Sequence, residues 1–206
     1  TSDKFSGFGV GGMVTANNQS NNATNNGGTT NAQGWGLSAD YAWKKLYAVA
    51  VYQALKSQNP GTLTTPAPAL WTTATGGVNT QDNQKYVAAT YDFGIVKAYA
   101  QWINRKATDT LNSNYFANRT AQQIGVRSYI TPTIEGWANI GNGRLTSYGA
   151  SNPSANFVAW QAGLNYYLSK RTNVYGIYGA NNMSSAAPVN PALNTSAFAL
   201  GVRHTF

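Results

Sequence analysis

The chain of 206 residues has about the length of one domain and contains no cysteine, and only 10% of its residues are charged, against roughly a quarter in ordinary soluble domains. The missing cysteines exclude thiol chemistry and a disulfide scaffold, and the net charge of +8 comes from fourteen Lys and Arg spread in ones and twos, not from the basic run that a nucleic-acid partner calls for. Gly (21), Tyr (13) and Trp (6) are abundant, which suits strands joined by polar loops, and no apolar stretch approaches the roughly 18–20 residues of a spanning helix.

Alternating segments then follow one another along the chain. Residues 4–16, 34–43, 45–56, 84–93, 95–105, 119–130, 133–142, 157–168, 172–180 and 196–206 each read as a strand. Their length, about ten residues, suits a tilted strand crossing a bilayer, whereas soluble strands average nearer five or six. The connections alternate as well. An Asn-rich loop over 17–33 precedes a tight turn at Lys44, and a Pro- and Thr-rich loop over about 57–83 precedes a tight turn at Gly94. Short turns recur at Thr131-Pro132 and at Ser169-Lys170-Arg171. Short turns on one side and long loops on the other are the signature of an antiparallel up-and-down transmembrane β-barrel in the outer membrane, with both ends of the strand set on the short-turn side. The competing expectation is a soluble meander or lectin-like sandwich, against which both strand length and loop rhythm speak.

The faces carry the same message. In 34–43, Trp35, Leu37, Ala39, Tyr41 and Trp43 oppose Gly36, Ser38, Asp40 and Ala42, so aromatic residues bracket aliphatic ones as in the girdles of membrane barrels. In 157–168, Val158, Trp160, Ala162, Leu164, Tyr166 and Leu168 oppose Gln161, Gly163, Asn165 and Tyr167. In the last strand, Phe198, Leu200, Val202, His204 and Phe206 oppose Ala197, Ala199, Gly201, Arg203 and Thr205. Segments 45–56 and 172–180 can be phased either way. The polar faces nominate Asp40, Lys97, Gln101, Arg105, Arg127, Glu135, Gln161, Asn165 and Arg203 as pore-lining, a set with more cations than acids that predicts anion preference. Lys56, Lys85, Arg105, Lys106, Arg119 and Arg144 fall near the loop-side strand ends, where outer-leaflet lipopolysaccharide phosphates lie.

Enzyme chemistry has little support. The single His204 is phased toward lipid, and the six acids form no close pair in sequence, with Asp82 and Asp109 reading as loop residues and Asp92 as part of a turn. No metal-ligand spacing or nucleotide loop appears, and GFGVGG is a strand pattern without a following helix, so no cofactor and no metal are expected.

Four segments, ALGVRHTF at the end, NYYLSKRTNVYG, YVAATYDFGIVKAYAQW and KFSGFGVGG at the start, resemble the C-terminal part of the trimeric general porins of Gram-negative bacteria, those of β-proteobacteria in particular. The resemblance implies a homotrimeric, passive diffusion channel for small hydrophilic solutes and ions, contacting outer-membrane lipids and lipopolysaccharide. It also implies sixteen strands and a third loop folded into the pore. Ten strands are present here, so residues 1–206 are expected to be one barrel domain forming the last ten strands of a longer chain. The alternative is a self-contained ten-stranded barrel that acts as an adhesin or surface-binding protein. In the resembled family the terminal strand is read by the outer-membrane assembly machinery, a role that falls here on Leu200, Val202 and Phe206.

Overall fold

In a computed structural model, residues 6–20, 29–58, 79–147, 153–185 and 191–205 are described. They form ten strands: β1 (Phe8–Ser20), β2 (Thr29–Trp43), β3 (Leu46–Gln58), β4 (Thr80–Asp92), β5 (Val96–Asp109), β6 (Phe116–Thr131), β7 (Ile134–Ser147), β8 (Ser154–Tyr167), β9 (Thr172–Met183) and β10 (Leu193–His204). Each pairs antiparallel with its neighbours in chain order, giving one ten-stranded sheet with β1 and β10 at its edges. Phe8 and His204 both lie at the short-turn end.

The expected strands are all present, and each runs further on its long-loop side. Residues 17–20 and 29–33, read above as loop, pair from Asn17 with Ala32 to Ser20 with Thr29, and Ser57 pairs with Thr80. Apolar alternation marks only the part of a strand that meets hydrocarbon. The backbone ladder needs no particular side chain, so it continues through polar residues above the apolar belt. Asp82 and Asp109 thereby become strand residues rather than loop residues.

Few side chains are buried: among the described hydrophobic residues only Ala54 and Ala155 are. The large apolar residues instead point outward from one face, Leu37, Val87, Ile124, Ile140, Leu164 and Leu200 among them, with Leu200 79% exposed. A soluble sandwich would cover such a face with a second sheet, and an apolar surface of this extent left in water would drive association. Lipid supplies the missing layer. From Trp35 to Trp43 the belt on β2 rises about 26 Å along the strand, or about 20 Å normal to the membrane at a tilt of about 40°, close to the roughly 25 Å band of outer-membrane barrels.

The opposite face is polar and sheltered although no second layer covers it: Glu135 is only 2% exposed and Asp82 6%. Side chains of an uncovered face shade one another when the sheet curls toward them, so the polar face is the concave one. Register settles the two segments that sequence leaves open. Asp40 stands opposite Val49, and Gln161 opposite Gly179. Cross-strand partners share a face, so Val49, Val51 and Gln53 of β3 and Tyr175, Ile177 and Gly179 of β9 are concave, while Ala50, Tyr52, Val174 and Tyr178 are convex.

The β4–β5 turn rests on Gly94, whose φ of 95° lies in the region that an L side chain rarely adopts and whose N–H donates to Asp92 Oδ1 at 2.7 Å. Gly94→Val is expected to destabilise the folded protein by about 1–2 kcal/mol. The loss should appear as a lower denaturant midpoint, followed through the mobility of the folded band in unheated detergent gels.

Candidate functional site

The concave face gathers polar side chains from every strand. Asp40 of β2, Lys97, Gln101 and Arg105 of β5, Arg127 of β6, Glu135 of β7, Gln161 and Asn165 of β8 and Arg203 of β10 all stand on it. They occupy three levels between the turn end and the loop end.

At the turn end, Glu135 is the organising group. Its carboxylate is paired with Arg127, whose Nε donates to Oε1, while Asn165 Nδ2 and Tyr167 Oη donate to Oε2 at 2.9 and 2.8 Å. Three donors on one buried carboxylate explain how a charge persists in so sheltered a place. Lys97 stands opposite Asp92 on β4 and Arg127 on β6. Trp137, opposite Arg127, lies across Gly163, where the ring occupies the space a Cβ would take.

The middle level is uncharged apart from Asp40. Tyr86 Oη donates to Gln101 Oε1 at 2.9 Å and Gln101 Nε2 donates to Gln123 Oε1 at 2.7 Å, a ladder across β4, β5 and β6. At the loop end, Arg105 Nε approaches both Asp82 oxygens at 3.0 and 2.9 Å and Nη2 pairs with Oδ2. Asp82 thus balances Arg105, which also faces Arg119 across β5 and β6. The Arg119 guanidinium lies 5.2 Å from the Phe157 ring centre.

The residues nominated as pore-lining are only part of this face, onto which the alternation already phases Gln123 and Tyr167. Arg119, Gln123, Tyr86 and Tyr167 belong to it, as do Asp82, Asp92 and Asp109. Counting back from Arg127 in steps of two finds Gln123 and Arg119. The three aspartates escaped because they lie beyond, or at the edge of, the apolar alternation. With them included, the expected excess of cations within the strands disappears: five acids, Asp40, Asp82, Asp92, Asp109 and Glu135, face five cations, Lys97, Arg105, Arg119, Arg127 and Arg203.

The six loop-end cations separate in the same way. Arg105 and Arg119 are concave, whereas Lys56, Lys85, Lys106 and Arg144 are convex. Lys85, Asn104, Thr120 and Arg144 form a single row from β4 to β7 directly above the apolar belt. Leu200 and Val202 are convex and exposed, and Phe206 lies outside the described residues. His204, also convex, has its Nδ1 2.9 Å from Thr172 Oγ1. Among the described residues, no three His, Cys, Asp or Glu side chains converge as metal ligands would.

A curled antiparallel sheet, apolar outside and lined inside by acids and cations in equal number, defines a strand-built transmembrane protein. Residues 1–186 match the Gram-negative porin family, and the chain belongs to it, which places the protein in the bacterial outer membrane as a multi-pass β-strand protein. An anion-selective porin from Comamonas acidovorans has the same fold, with a TM-score of 0.68 at 18% identity over 99% of this chain and 57% of that one. OmpT, an outer-membrane protein of Vibrio cholerae, gives 0.62 at 11% identity over 85% of this chain and 60% of its own. A porin refined at 1.8 Å gives 0.57 at 13% identity, over 99% and 60%. The chain therefore spans about three-fifths of the length of these porins. No curated protein matches the sequence.

The Glu135 cluster generates a test of the concave face. Glu135→Gln turns one of two accepting oxygens into a donor and leaves Arg127 without its counter-charge, so stability is expected to fall by about 1–3 kcal/mol, toward the lower end because the Arg127 side chain is 46% exposed. Tyr167→Phe, which removes one donor, is expected to cost about 1 kcal/mol. Denaturant midpoints of the two variants read the difference.

Proposed function

We propose that the chain forms part of the wall of a passive, water-filled channel for small hydrophilic solutes and ions, with a preference for anions, and that it has no enzymatic role. The observation that carries this reading is the concave face itself, which gathers the strand acids and more than half of the strand cations beside amide and hydroxyl groups, set against a convex face made for lipid. Transport through such a wall requires no nucleotide, cofactor or conformational cycle; width and fixed charge select the solute. Asp40, Lys97, Gln101, Arg105, Arg127, Glu135, Gln161, Asn165 and Arg203 line it.

Two observations support the finer reading. The most similar folds include a porin described as anion-selective. The strand charges on the concave face balance, so the preference comes from cations outside the strands, Lys170 and Arg171 of the β8–β9 turn, which stand beside Arg203. A salt gradient across a planar bilayer is the direct measurement: the reversal potential should lie on the anion side at low salt and shrink as screening grows, and a cation-side potential overturns the reading. An adhesin built on the same strands would conduct hardly at all.

The edge positions of β1 and β10 and the three-fifths coverage favour a wider barrel, in which these are the last ten of sixteen strands and the whole protein is a homotrimer. Leu200, Val202 and Phe206 would present the terminal strand to the assembly machinery. For lipopolysaccharide, the support is charge sorting. Lys56, Lys85, Lys106 and Arg144 are convex and loop-side, and no acid shares the convex face among the described residues. Replacing Lys85, Lys106 and Arg144 together with Gln should lower co-purifying lipopolysaccharide several-fold, whereas Arg119→Gln on the concave face should leave it unchanged. Equal retention in both would remove the assignment.

A further inference from the structure

Resting on the reading of the concave face as a channel wall, we propose that its turn end holds a docking site for compact anions carrying two or more charges, phosphates and di- or tricarboxylates alike. Anions would then pause at the short-turn mouth and be handed from there to the paired wall above.

The site is a recess of about 650 Å³ where the β8–β9 turn meets the end of β10. Four cations line it, Arg127, Lys170, Arg171 and Arg203, together with one acid, Glu135. Glu135 is already committed to Arg127, Asn165 and Tyr167. Lys170, Arg171 and Arg203 have no carboxylate partner among the described residues. Among the described residues the recess therefore holds three positive charges without a paired acid, unlike Arg105, which is paired with Asp82, or Lys97, which faces Asp92.

Backbone contacts bring these charges together. Thr205 N–H donates to the Arg171 carbonyl at 2.9 Å, tying the end of β10 to the turn. Leu168 N–H donates to the Thr172 carbonyl at 2.9 Å, and Arg171 N–H donates to Ser169 Oγ at 3.1 Å, so the turn that carries Lys170 and Arg171 is itself held. Arg171 and Arg203 supply planar forks suited to carboxylate or phosphate oxygens, and Lys170 supplies a point charge. Tyr175 and Asn173 add polar groups to the wall.

Valence follows from the charge count. A monovalent anion gains little from three cations at a wet surface, because screening and hydration compete with each contact. A di- or trivalent anion engages two or three of them at once and gains in proportion to its charge. Chloride should pass while citrate and phosphate are retained, and only from the side on which the turns open.

Single channels of the full-length protein in planar bilayers test this. Potassium chloride carries the current, and inorganic phosphate or citrate is added to one compartment at a time. Half-block by citrate is expected at a concentration about tenfold lower from one side than from the other, with phosphate intermediate. Lys170→Gln with Arg171→Gln should abolish that sidedness, while Arg171→Lys should keep most of it. Both positions are exposed turn residues, and the folded-band mobility in unheated gels checks that the variants assemble. Equal block from the two sides, or sided block unchanged in the double variant, overturns the proposal. The potassium chloride reversal potential is read in the same experiment, so a cation-preferring channel would overturn the channel reading separately from the docking site.

Discussion

Backbone hydrogen bonding where water is absent is the constraint on which the rest of this structure depends. In hydrocarbon an unpaired N–H or C=O costs several kcal/mol, so strands that cross a membrane must pair on both sides along their whole length. The long ladders from β1 to β10 meet that demand for every strand with a neighbour on each side. Once strands must pair in this way, side chains have only two directions available, and burial in a core stops being the source of order. Two buried alanines among the described hydrophobic residues are enough for the sheet because its apolar partner is the bilayer.

Curvature turns these two directions into two environments. Side chains on the concave face converge, shade one another and hydrogen-bond, as Glu135 does with its three donors and Gln101 with Tyr86 and Gln123. Side chains on the convex face splay apart and meet lipid, with aromatic contacts lying between them, tilted for Trp35 with Tyr52 and edge-on for Trp160 with Tyr178. A single alternation in sequence therefore yields a wet wall and a greasy one.

Charge follows the same sorting. Within the strands the concave acids and cations are equal in number, and the sheltered carboxylates of Asp82 and Glu135 are paired with Arg105 and Arg127. The excess positive charge lies at the two ends of the sheet: Lys56, Lys85, Lys106 and Arg144 on the convex loop side, and Lys44, Lys45, Lys170 and Arg171 in the short turns. Fixed cations are held where water or phosphate can solvate them and are matched where neither is abundant.

Strand number, the long–short rhythm of connections and the facing of β2, β8 and β10 were legible in the sequence, because each depends on residues within one segment and on the two-residue period of an extended chain. So was the concave placement of residues such as Gln101 and Asn165, once the alternation was phased. Only the tertiary structure decided the phase of β3 and β9, where both faces carry apolar residues and the register with β2 and β8 breaks the tie. It alone extended the strands past the apolar belt, drawing Asp82 and Asp109 out of presumed loops and cancelling the apparent excess of positive charge on the wall. The reason is physical: alternation records which side chains meet lipid, a local property, whereas pairing, curvature and charge balance are set by whichever strand the hydrogen-bond ladder places alongside.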